Sequence, residues 1–114
     1  GQQKKSYLYV HDCLDAMFTA VEFEKEKVNV FNLGTDEFVD VNESVDAITG
    51  HLGVAPKRTY AGGKRGWIGD SPFIFLDCAR IRSLGWAPRY SIHQGIIKTL
   101  QWLEQNRWVT EIRE

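Results

Sequence analysis

Lysine, arginine, aspartate and tryptophan crowd into one glycine-rich stretch, Gly62-Gly63-Lys64-Arg65-Gly66-Trp67-Ile68-Gly69-Asp70-Ser71-Pro72. Glycines let the backbone come close to a ligand and take conformations that other residues avoid. Arg65 offers a planar fork suited to two phosphate oxygens. Asp70 can accept hydrogen bonds from sugar hydroxyls, and Trp67 presents a flat apolar face. Residues 61–72 form a long connection for a small domain, and such connections usually serve function or lack order. By composition the stretch reads either as an anion-binding loop or as a solvated surface loop.

Other motifs fail on their spacing. Tyr60-Ala61-Gly62-Gly63-Lys64 has the Tyr-x-x-x-Lys interval by which a helix places an ammonium beside a phenol for proton transfer. Two intervening glycines, each costing about 1 kcal/mol in a helix interior, put this pair in a loop instead. Arg58 and Arg65 occupy positions where a Walker A loop needs Gly and Ser or Thr. No Gly-x-Gly-x-x-Gly joins a strand to a helix. His11, His51 and His93 are scattered, so no metal site is expected, and no Ser, His and Asp set suggests a nucleophilic triad.

The elements that must hold the loop follow from hydrophobic periodicity. Tyr7–Val10 reads as a strand, after which Asp12 is expected to cap a helix carrying Leu14, Met17, Phe18 and Val21. Val28–Leu33 reads as a strand covered on both faces, closed by Gly34. Asp40 and Glu43 form a capping box ahead of Val41, Val45, Ile48 and Leu52, with Gly53 as the stop. Residues 57–60 suggest a short strand, and Phe73–Leu76 is a further apolar run. Asp77 is expected to cap a short helix holding Ile81 and Leu84 and ended by Gly85. Ser91 and Gln94 make a second capping box, opening a helix with Ile92, Ile96, Leu100 and Leu103 on one face. Short strands and helices alternate, which predicts an α/β fold.

At 114 residues the chain suits one domain, 1–114. Its hydrophobic content of 43% and charged content of 25% are those of a globular protein. A net charge of −1, with basic residues spread in pairs, argues against nucleic acid as a partner. No apolar run reaches the roughly 20 residues that cross a bilayer, so no membrane is expected. Gly1-Gln2-Gln3-Lys4-Lys5 lacks the apolar stretch of a signal peptide. Cys13 and Cys78 stand far apart on apolar helical stretches, which suits free thiols in a reducing cytoplasm.

Arg65-Gly66-Trp67-Ile68-Gly69-Asp70-Ser71-Pro72, Asp77, and Leu84-Gly85-Trp86-Ala87-Pro88-Arg89-Tyr90 together resemble the C-terminal region of extended short-chain dehydrogenase/reductases. The likeness is to the NAD-dependent epimerase/dehydratase family, exemplified by UDP-glucose 4-epimerase. Lys4–Asp12, Val30–Gly34 and Val41–Glu43 match further family segments in the same order, so the resemblance runs from about Gly1 to Leu103.

The resemblance implies that the chain is the C-terminal substrate-binding part of a Rossmann-type enzyme, with the NAD-binding half elsewhere. NAD is implied for the intact enzyme, whereas no cofactor and no catalytic residue are expected on this chain. It further implies that Lys5 (where the family often has Arg) and Arg65 contact the diphosphate of a nucleotide sugar. Asp70 would help to hold the nucleotide, with Trp67 beside it. The isolated chain is expected to be inactive. An alternative reading is a non-catalytic binding or oligomerisation module that keeps this fold. Without its partner half, the Leu14–Val21 face and Val28–Leu33 would be left open, so a homodimer is expected.

Overall fold

Residue identity at the helix starts explains the best-defined elements. The computed structural model describes residues 1–23, 26–63, 69–70 and 73–112. In it, Asp40 caps helix α2 (Val41–Leu52): Glu43 N–H donates to Asp40 at 2.8 Å, and Asp40 N–H donates to the Glu43 carboxylate at 2.7 Å. Gly53 ends this helix at φ 66°, where a side chain would be strained. Ser91 and Gln94 make the same reciprocal box at the start of α4 (Ile92–Gln105), at 3.2 and 3.0 Å. Both capping boxes and the Gly53 stop are therefore as the sequence predicts.

The strands differ from expectation. Among the described residues the sheet is one antiparallel pair, β1 (Lys4–Lys5) with β2 (Val39–Asp40), in the register Lys4 opposite Asp40 and Lys5 opposite Val39. It continues into α2: Val41 N–H donates to the Gln3 carbonyl at 3.2 Å and Asn42 N–H to that of Gly1 at 3.1 Å. Two N–H groups that a helix start normally leaves without partners are thus satisfied.

Tyr7–Val10 is not a strand. Helix α1 (Val10–Phe23) begins at Val10, and the Tyr9 carbonyl accepts its first bond, from Cys13 N–H at 3.0 Å. Residues 28–33 and 57–60 make no ladder among the described residues, and Val28 and Val30 are exposed rather than covered on both faces. A β-branched run becomes a strand only where a neighbouring backbone offers a ladder, and here none does. Strict alternation of strands and helices is therefore absent.

Asp12 is not the cap of α1. It lies within the helix at 1% exposure, its carboxylate accepting Tyr90 N–H at 3.1 Å and lying 3.6 Å from Arg89 Nε. Its carbonyl accepts Trp86 Nε1–H at 3.1 Å, and Arg89 also pairs with Asp15. The buried side of α1 is thus Asp12 and Ala16, one turn apart, while Leu14, Met17, Phe18 and Val21 face outward. Ala16 joins Cys78, Ile81 and Trp86 in a small core flanked by Leu8, Phe31 and Leu33.

Ile81 belongs to the short helix α3 (Ala79–Arg82), where Asp77 accepts Ala79 N–H at 2.8 Å and Gly85 follows at φ 89°. A last turn, α5 (Trp108–Glu111), follows α4 and has no signal in the apolar pattern.

Candidate nucleotide-sugar site

The β1–β2 ladder fixes the backbone of Lys5, and Ser6 Oγ donates to the Glu37 carbonyl at 3.0 Å just beyond it. From this anchored position Lys5 Nζ reaches Asp70 Oδ1 at 2.5 Å, joining residues 65 apart in sequence. The two side chains retain 22% and 14% of their exposure, so the ion pair is partly shielded from water. A charge-assisted bond in such surroundings is stronger than one on an open surface.

Lys5 also lines a cleft of about 290 Å³. One wall is Ser6, Tyr7 and Leu8; the other holds Leu33, Thr35, Ile74 and Leu76. Phe73 and Phe75 turn the opposite way, stacked with centroids 5.8 Å apart, and Phe73 meets Phe38 edge-on at 5.4 Å. Lys4 Nζ caps the Phe38 ring at 4.6 Å. Adjacent side chains of 73–76 thus serve two surfaces, one aromatic and one facing the cleft. A volume near 300 Å³ is at the lower end for a small-molecule site.

A wider groove of about 1060 Å³ runs between Gly1–Gln3, the start of α2 and residues 58–63. Arg58 there pairs with Asp46 at 2.7 Å, and Tyr60 OH donates to Asn42 Oδ1 at 2.7 Å. The Asp46 hydrogen bond holds the Arg58 guanidinium above its ordinary pKa. Asp46 is well exposed, so this is a surface pair of small energetic consequence. The partly shielded pair at the smaller cleft is the stronger candidate.

Of the four site residues expected from sequence, Lys5 and Asp70 are brought together, and Arg65 and Trp67 lie outside the described residues. Tyr7 and Ile74 line the cleft without having been singled out; their signal was adjacency to Lys5 and position in the apolar run after Pro72. Among the described residues no group of three or more His, Cys, Asp or Glu is placed to hold a metal ion.

No known family model matches the sequence. Relatives do. A putative UDP-glucose 4-epimerase of Methanocaldococcus jannaschii is 30% identical over 106 residues, which is 93% of this chain and 33% of that protein. The crystal structure of UDP-glucose 4-epimerase from Thermotoga maritima with UDP-glucose superposes with a TM-score of 0.77 at 28% identity, over 93% of this chain and 33% of that one. Over 93% of its length the chain is similar to part of NAD-dependent sugar epimerases and dehydratases. A dTDP-glucose 4,6-dehydratase of Bacillus anthracis, solved in complex with NAD, agrees at a TM-score of 0.76 and 25% identity, again over 93% of this chain and 33% of that one.

The chain matches a C-terminal portion of these Rossmann-type epimerases and dehydratases, and spans a third or less of the curated relatives' length. NAD is the cofactor of the intact family. The residues described here do not fit it: the sheet is one pair of two-residue antiparallel strands, with no strand, glycine turn and helix in succession to cradle a dinucleotide. Tyr60 sits in no helix, bonded to Asn42. No chemical step is therefore assigned to these residues through NAD.

Proposed function

We propose that this chain is the nucleotide-sugar-binding part of an NAD-dependent epimerase or dehydratase, with the cofactor and the reacting groups supplied by an N-terminal Rossmann half. The observation that carries this reading is the pairing of Lys5, which lines the cleft, with Asp70. In this reading Lys5 is a cation for the diphosphate and Asp70 an acid for hydroxyls, the roles that the family resemblance implies. The Thermotoga maritima relative, solved with UDP-glucose, supports the ligand class. In this reading Arg65 adds a second cation and Trp67 an apolar face.

Two charge-assisted contacts supply roughly 3–6 kcal/mol, and association entropy cancels much of that. A dissociation constant on the order of 1 mM or weaker follows for the chain alone, with no turnover. An NMR titration of the labelled chain with UDP and UDP-glucose is the test. Shifts clustered at Lys5, Asp70 and Tyr7, and lost in Arg65→Ala, support the reading. Absence of shifts at several millimolar ligand would sink it for the isolated chain.

A second reading, association through an apolar surface, is favoured by α1: Phe18 is 71% and Val21 81% exposed. Self-association as a homodimer through this face is the form it takes. No helix among the described residues is long and apolar enough to cross a membrane. Cys13 and Cys78 are free, as suits the proposed reducing cytoplasm.

A further inference from the structure

Ser6 and Thr35 stand on opposite walls of the smaller cleft, and few bonds tie those walls together. The ladder stops at Lys5 and Val39. Past it, the one hydrogen bond among the described residues that joins 6–9 to 33–38 runs from Ser6 Oγ to the Glu37 carbonyl, at 3.0 Å. Glu37 uses its other polar groups as well. Its N–H donates to Thr35 Oγ1 at 3.2 Å, on its own wall. Its carboxylate accepts Ile92 N–H at 2.8 Å, from a residue 55 positions away. Ile92 is the first residue of α4, so its N–H is one of those a helix leaves without an internal partner. The Ser91–Gln94 box satisfies the N–H groups of Ser91 and Gln94 but not this one. A carboxylate placed there also suits the positive end of the helix dipole.

The same turn of α4 meets the other wall through Gly95. A Cβ on Gly95 would lie 3.2 Å from that of Tyr9, which continues Ser6–Leu8. Ile92 and Gly95 share one rigid helical turn, so it bears on the extensions of both walls, one through Glu37 and one through Tyr9. We propose that Glu37 is a positioning residue that sets the spacing of the two cleft walls from the first turn of α4, an inference that rests on the cleft's binding nucleotide sugars as argued above. Glu37 touches no ligand in this role and acts through Ser6 and Thr35. A wall that it no longer holds must be ordered by the ligand, at a cost in affinity. The role needs an acceptor oxygen rather than a charge, so the amide of glutamine can fill it.

The experiment is an NMR titration of the full 114-residue chain with UDP, joined to residual dipolar couplings of the amides of 6–8 and 33–37, which report how the walls are oriented. Wild type is compared with Glu37→Ala, Glu37→Gln, Ser6→Ala and Ser91→Ala. In Glu37→Ala and in Ser6→Ala the couplings of the two walls are expected to stop fitting one common alignment, with UDP binding weakened about threefold. Glu37→Gln is expected to restore both. Ser91→Ala removes a cap from the same helix without touching either wall, and is expected to lower stability and move neither readout. Unchanged couplings or unchanged UDP affinity in Glu37→Ala overturns the proposal, as does equal weakening by Ser91→Ala or no recovery in Glu37→Gln. If Glu37→Ala does not fold, Ser6→Ala decides by the same two readouts. UDP binding to wild type with the variants unchanged removes this inference alone; no UDP binding to wild type removes the reading it rests on as well.

Discussion

Asp12 carries more of the structure than its place in an exposed-looking helix suggests. Its carboxylate and carbonyl between them accept Tyr90 N–H and Trp86 Nε1–H and face Arg89, so three residues of one segment converge on one side chain and its backbone. Asp12→Ala removes the acceptor of the part-buried Tyr90 N–H and the partner of a cation. The expected cost is about 1–3 kcal/mol, read as a lowered urea midpoint. Asp15→Ala, which removes only the outer contact of the 62% exposed Arg89, is expected to cost under about 1 kcal/mol. The two cysteines separate in the same way. Burial, partly opposed by Arg82, pushes the Cys78 thiol above its ordinary pKa, so less of it is thiolate at any given pH. Iodoacetamide at pH 8 is expected to label Cys13 well before Cys78, as peptide mass mapping would show.

At the scale of elements, the two reciprocal caps make the clearest forecast. Asp40→Ala and Ser91→Ala each remove an acceptor from a helix start and are expected to cost about 1 kcal/mol. Gly53→Ala, at φ 66°, adds a similar cost through backbone strain, although a Cβ there has open space. Thermal unfolding of the three variants checks this. Helices α2 and α4 were legible in the sequence because their signals are local: cap, box and stop lie within a few residues of the elements they define. The strands were not. Val28–Leu33 has the composition of a covered strand, but whether a β-rich run joins a ladder depends on a second backbone that its own residues do not specify. Asp12 was misread for a related reason, since a cap and a buried anchor look identical until Arg89 and Tyr90 are known to be near. For the candidate site, family resemblance singled out Lys5 and Asp70 but not their direct contact, because nothing within either segment encodes a distance across 65 positions.

The whole molecule spans 52 × 36 × 25 Å with a radius of gyration of 16.9 Å, against about 13 Å for a compact domain of 100 residues. Among the described residues its buried hydrophobic side chains are Ala16, Cys78, Ile81, Trp86 and Ile92, while Phe18, Val21, Val28 and Val30 face outward. Exposed apolar side chains of this kind are the surface through which the proposed self-association would run. Phe18→Gln with Val21→Gln is expected to reduce self-association, measured by light scattering at about 0.1 mM, while shifting the unfolding free energy by no more than about 0.5 kcal/mol per site. Association unchanged by this double substitution would place the contact elsewhere.

The clasp between α1 and the Trp86–Tyr90 segment also has a consequence in time. Asp12 and Tyr90 are 78 residues apart, so during synthesis α1 is made well before the residues that secure it. At usual translation rates of about 5–20 residues per second, that leaves an interval on the order of 4–16 s. Throughout it the helix has an apolar stripe on one side and an unsecured carboxylate on the other. A pause in translation between the codons for Asp12 and Tyr90 would prolong that exposure.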